Sequence, residues 1–109
     1  MLVSGYRSMW LVVMFDLPVD TKPARKAYAL FRKQLLADGF QQVQYSVYAR
    51  HCASNENGAV HVERVRASLP PDGEVRLMAV TDKQYERMHV FWGKMRKPPE
   101  PAPCQLQLF

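Results

Sequence analysis

Asp16 is the side chain whose type and setting point most directly to chemistry. It closes the run Met9-Trp10-Leu11-Val12-Val13-Met14-Phe15-Asp16, large apolar residues ending in a carboxylate, and the turn signal Leu17-Pro18 follows at once. A short run rich in β-branched and aromatic residues predicts a strand buried on both faces and placed at the centre of a sheet. Such a strand delivers its last residue to the sheet's carboxyl edge, where pairing stops and water enters, so the carboxylate ionises without the full cost of burial. Open α/β sheets hold ligands at that edge. The competing reading is an Asx turn, in which the carboxylate accepts hydrogen bonds from the following loop. A lone carboxylate at a strand end does not choose between the two.

The second group able to do chemistry is cationic. Lys22, Arg25, Lys26, Arg32 and Lys33 lie on the outer arc of a helix predicted over residues 23–38, opposite Ala24, Ala27, Tyr28, Phe31 and Leu35. A solvated face is the ordinary role of such a cluster. The net charge of +5 and the pI near 9.5 favour a polyanionic partner, nucleic acid or an acidic protein. Cys52 and Cys104 lack metal-ligand spacing, which argues against zinc and for free thiols in a reducing cytosol. His51 reads as an edge residue in water. His61, with no partner at helical spacing, reads as a surface histidine.

The elements that must position these residues follow from the pattern. The length of 109 residues supports one small core. Residues 1–8 show no period and read as a loose leader, Met9 being itself a candidate start; residues 9–97 form the domain, and 98–109 a proline arm and terminal strand. Asp20 or Thr21 caps the first helix, whose first turn tolerates Pro23, and Gly39 ends it. Residues 40–52 alternate over a length too great for one strand, so a bend is expected near Ser46. Ser54 or Asn55 caps a second helix running to about Leu69, with Gly58, Val62, Val65 and Leu69 on one face and Pro70-Pro71 as its stop. A strand over 74–81 and a helical turn over 82–87 come next.

Beyond Gly93 stand Lys94, Arg96 and Lys97, then Pro98, Pro99, Pro101 and Pro103. In Cys104 to Phe109, Leu106 and Leu108 alternate with Gln105 and Gln107, the pattern of a half-buried strand. A strand on an extended proline arm has the reach to add to the sheet edge of a second subunit, giving a symmetric dimer with exchanged tails. No apolar stretch has membrane length, which predicts a soluble, cytoplasmic protein. Strand, helix, two strands, helix, strand is the split β-α-β, ferredoxin-like plan: an α+β fold with helices on one face of a mainly antiparallel sheet.

Phe15-Asp16-Leu17-Pro18, Arg25-Lys26-Ala27-Tyr28 with Phe31-Arg32, Asp38-Gly39-Phe40, Gln44-Tyr45-Ser46-Val47-Tyr48 and Val80-Thr81-Asp82-Lys83-Gln84-Tyr85 together resemble the Cas-two family of CRISPR adaptation proteins. The likeness is greatest to members that accompany Cas-nine-type systems, and it spans residues 9–109. The resemblance implies a ferredoxin-like homodimer whose C-terminal strand joins the partner's sheet. It implies capture of new spacers, the dimer bridging two Cas-one integrase dimers and helping to hold the duplex DNA to be inserted. In some members it implies a metal-dependent endonuclease on RNA or DNA, with the strand-end aspartate, here Asp16, assigned to the metal.

Magnesium keeps several waters and needs only one or two carboxylates, so one Asp16 per subunit suffices if a two-fold axis brings both together. No second carboxylate is evident near Asp16, Asp20 being the closest in sequence. Two function classes follow. As a scaffold, the dimer contacts phosphates through Lys22, Arg25, Lys26, Arg32 and Lys33, with Lys94, Arg96 and Lys97 as further candidates. As an enzyme, it cuts nucleic acid at Asp16. The alternatives are a ribonuclease toxin of the VapD type, which shares the fold, and a non-catalytic nucleic-acid-binding ferredoxin-like module.

Overall fold

The structure, a computed structural model, describes residues 8–94. The expected leader up to Arg7, Arg96 and Lys97 of the basic trio, the proline arm and the strand Cys104 to Phe109 lie outside the described residues. The elements are β1 (Met9–Asp16), α1 (Lys22–Ala37), β2 (Gln41–Gln44), β3 (Val47–Cys52), α2 (Asn55–Ala67), β4 (Glu74–Thr81) and the short α3 (Asp82–Glu86). The sheet order is β2-β3-β1-β4, with every neighbouring pair antiparallel. Each long helix therefore joins two parallel strands across one intervening strand, and the α+β, split β-α-β plan is the observed fold.

β1 sits at the centre of the sheet, as its composition requires, but it is not buried on both faces. Leu11, Val13 and Phe15 are buried, whereas Trp10, Val12 and Met14 between them are only partly covered. Both helices lie on the same side, and their Phe31, Leu35 and Val65 pack with Leu11, Val13, Phe15, Tyr48 and Cys52 in one core. Burying each of these large side chains contributes about 1.5–3 kcal/mol. Among the described residues no helix lies along the middle of the opposite face, where Val12, Ala49 and Met78 stand in register.

Helix boundaries follow local chemistry. Thr21 caps α1, its hydroxyl accepting from Ala24 N at 3.1 Å, and Pro23 falls in the first turn. Ser54 caps α2 in the same way through Asn57 N at 3.0 Å. That helix stops at Ala67, before the expected Leu69, which is exposed. The bend expected near Ser46 is the β2–β3 turn itself, and Ser46 adopts a left-handed conformation with φ 61°. For a non-glycine residue that costs roughly 1–2 kcal/mol. It is held there by Tyr28 Oη, 3.0 Å from Ser46 Oγ, and by Phe15 N, which donates to the Ser46 carbonyl at 3.1 Å.

His61 is not a surface histidine. It is 4% exposed, and its Nδ1 lies 2.8 Å from Asp38 Oδ2. Arg64 Nη1 donates to Asp38 Oδ1 at 2.8 Å, and Arg50 Nε donates to the Asp38 carbonyl at 2.7 Å. The partner that keeps His61 inside comes from the C-terminus of α1, 23 residues earlier, and no helical spacing reveals it. Burial pushes the Asp38 carboxyl up, but the hydrogen bonds and charges of Arg64 and His61 outweigh it and hold the group below the ordinary carboxylate range. Cys52 is fully buried and free, and burial pushes its thiol up, leaving it protonated and inert.

Candidate nucleic-acid interface

The carboxyl end of β1 delivers Asp16 to solvent as the alternation requires. Phe15 turns into the core, so Asp16 projects on the face away from the helices and is exposed. Among the described residues its carboxylate takes no hydrogen bond from the loop that follows, so the Asx-turn reading is not realised. Gly73 keeps this end of the sheet tight. With φ +97° it passes so close that a Cβ there would stand 2.8 Å from the Asp16 carbonyl oxygen, and only glycine fits.

A second carboxylate is present after all. β1 and β4 pair along their whole length, Met9 opposite Thr81 at one end and Asp16 opposite Glu74 at the other. Directly opposed residues of an antiparallel pair carry their Cβ atoms about 4.5–5.5 Å apart on the same face. Glu74 shares a hydrogen bond with Arg76 at 3.1 Å. The signal was in the sequence: two eight-residue strands that neighbour each other in this plan place the first residue of one against the last of the other. Asp20 lies in the loop before α1, outside that register.

The two carboxylates suit magnesium by donor type and number, since that ion takes oxygen ligands and retains waters. Among the described residues no group of three or more His, Cys, Asp or Glu side chains is placed to hold a metal ion. Asp16 and Glu74 are the carboxylates that the β1–β4 register brings together at this edge.

The five cations of α1 are all exposed, but they do not form one face. Lys22, Lys26 and Lys33 recur at helical spacing on the side away from the core and make no ion pair among the described residues. Arg25 and Arg32 instead bracket Tyr28, three residues before it and four after. Arg25 Nη1 donates to the Val19 carbonyl at 3.0 Å, and the Arg32 charge acts on the Tyr48 phenol. α1 holds these five cations and no Asp or Glu, so it carries a charge equal to the whole net +5 of the protein.

Sequence reasoning also missed an aromatic group beside this edge. Tyr45, in the β2–β3 turn, is 75% exposed, and its ring lies 6.3 Å from that of Tyr28 at 24°. A hydrogen bond with Tyr28 pushes the Tyr45 phenol above its usual value. The motif Gln44-Tyr45-Ser46 contained the residue, but its neighbour Tyr28 comes from α1, 17 residues earlier in the chain. At the other end of the sheet, Trp10 stacks on Tyr85 at 4.1 Å, and His51, exposed as expected, meets Trp10 edge-on and approaches Asp82 Oδ1 at 3.5 Å.

The family model described as CRISPR associated protein Cas2 matches residues 9–88. A protein of Parvibaculum lavamentivorans named CRISPR-associated endoribonuclease Cas2 is 59% identical over 93% of this chain and all of its own length. Proteins of the same name from Flavobacterium psychrophilum and Paracidovorax avenae are 48% and 49% identical, over 98% and 99% of this chain and 93% and 100% of their own lengths. The chain belongs to the Cas2 family of CRISPR-associated proteins. Among the described residues no helix is long and apolar enough to cross a membrane.

Proposed function

We propose that this protein acts in CRISPR adaptation as a cytoplasmic homodimer that bridges Cas-one integrase dimers and binds the phosphates of duplex DNA. The observation that carries this reading is the charge of α1. Three of its first five residues, Lys22, Arg25 and Lys26, are cations, and no acid balances them. Cations at the positive end of a helix dipole are unfavourable by about 0.3–1 kcal/mol each, so this arrangement does not serve helix stability. Lys22, Lys26 and Lys33 are left to meet an external polyanion, and contacts of this kind position a duplex without reading its bases. The half-covered apolar face around Val12, Met14 and Met78 supports the dimer, because a second copy would bury it.

A second reading is favoured by the Asp16–Glu74 register and by the name endoribonuclease carried by the relatives. Here the same protein hydrolyses phosphodiester bonds in a magnesium-dependent reaction. Asp16, with Glu74 across the ladder, would hold the ion, which when bound supplies polarisation of a phosphate and activation of a water. The chain's own residues do the rest. Arg25 and Arg32 draw the backbone to this end of the sheet, and the exposed edge admits water.

Asp16→Asn separates the two readings, since it keeps the side-chain shape and removes its charge. Cleavage of single-stranded RNA in magnesium should vanish, while spacer integration with the Cas-one partner continues in the same preparation. Cleavage at the parent rate would exclude Asp16 as the catalytic ligand. Loss of integration by a folded dimer would overturn the view that bridging needs only the surface and the phosphate contacts.

A further inference from the structure

Tyr45 is a large aromatic side chain left three-quarters exposed at a turn where the backbone bears a strained residue. Nothing in the core needs it there. The left-handed Ser46 costs stability, and the structure offsets that cost with two hydrogen bonds, one from Tyr28 and one from Phe15 beside Asp16. The outcome is a ring held at a set place: one side leans on Tyr28, and the other faces water. Arg25 and Arg32 stand three residues before Tyr28 and four after it, so both lie on the same side of α1 as that ring. Stacked aromatics bordered by cations are how proteins hold unpaired bases, the ring taking the base and the cations the backbone.

We propose that Tyr45, backed by Tyr28, is a stacking platform for an unpaired nucleobase, and that single-stranded nucleic acid binds here through Tyr45, Arg25 and Arg32. The inference rests on the nuclease reading and assigns a positioning residue within it. The platform stands on the helix side of the sheet, whereas Asp16 projects on the other. A strand stacked on Tyr45 therefore reaches the carboxylates by passing over the end of the sheet, where Ser46 and Phe15 are joined. A duplex, with its bases already stacked on one another, gains nothing from the platform.

The test measures binding without cleavage, in chelator, with a fluorescent 2-aminopurine placed in a short single-stranded RNA, in the same strand as DNA, and in its duplex. Tyr45→Leu keeps apolar bulk and loses the π face; Tyr45→Phe keeps the face. Stacking predicts that Tyr45→Leu weakens single-strand binding by about 5- to 100-fold and abolishes the change in base fluorescence, that Tyr45→Phe restores both, and that duplex affinity is unchanged. Loss on RNA alone assigns the base to RNA, loss on both strands to either backbone, and each supports the platform. Single-strand affinity unchanged in Tyr45→Leu, or single-strand and duplex affinities lowered equally, overturns it and leaves the exposed turn to a protein contact. A parent protein that binds no nucleic acid overturns the underlying reading as well. Binding that depends on Tyr45 in a protein whose cleavage survives Asp16→Asn keeps the platform and removes only the assigned catalytic ligand.

Discussion

Asp38 holds three parts of the chain at one point. Its carboxylate takes Arg64 and His61 from α2, its carbonyl takes Arg50 from β3, and its own backbone closes α1. Hydrogen bonds to a charged group contribute about 1.5–3 kcal/mol, so Asp38→Ala should lower stability at neutral pH by that order in denaturant unfolding. The pH dependence follows from the sign of the shift. The folded pKa is depressed below the ordinary 3.8, so folding favours the ionised form. Its stabilisation is complete above the unfolded value and is lost as pH falls through the folded one. The melting temperature of the parent should therefore fall more steeply on acidification below pH ~4 than that of Asp38→Asn. Parallel curves for the two proteins would show that this carboxylate contributes no acid lability.

At the scale of elements, α1 has two separate jobs. Lys22, Lys26 and Lys33 face outward, whereas Arg25 and Arg32 border the packed side next to Tyr28. Duplex DNA binding should thus respond to the two sets differently. Replacing Lys22, Lys26 and Lys33 together by Glu should weaken duplex binding strongly. It should also flatten the dependence of log K on log salt by about 0.9 for each phosphate that is no longer neutralised, with little change in sequence preference. Because these side chains are exposed and unpaired, the melting temperature should hold. An unaltered salt slope in the folded variant would return the lysines to a solvated face. β1 and β4 form the other decisive pair of elements, since their full-length register alone sets Glu74 against Asp16.

For the whole molecule, the proposed dimer is the assembly that joins one open sheet face to another copy. If the terminal strand contributes to it, deletion of Pro103 to Phe109 should shift sedimentation at micromolar concentration from dimer toward monomer. A deletion protein that sediments as the parent does would end the exchanged-strand proposal and leave the face around Val12 and Met78 as the remaining ground for association.

Alternation, caps and breakers are local, and they were sufficient for the elements. The central strand, the cap at Thr21, the turn at Ser46 and the order that defines the split β-α-β plan could all be read from neighbours in sequence, as could the exposed carboxylate at the end of β1 and the cations of α1. What the tertiary structure decided depends on residues far apart in the chain. His61 is buried because Asp38, at the end of α1, meets it across the helix pair, with Arg64 of α2 on the same carboxylate. Asp16 gains Glu74 through a strand register, and Tyr45 meets Tyr28 because the β2–β3 turn lies beside α1. β1 keeps one half-covered face because both crossover helices lie on the same side of the sheet. Periodicity reports which residues share a face of one element; only packing determines what that face meets.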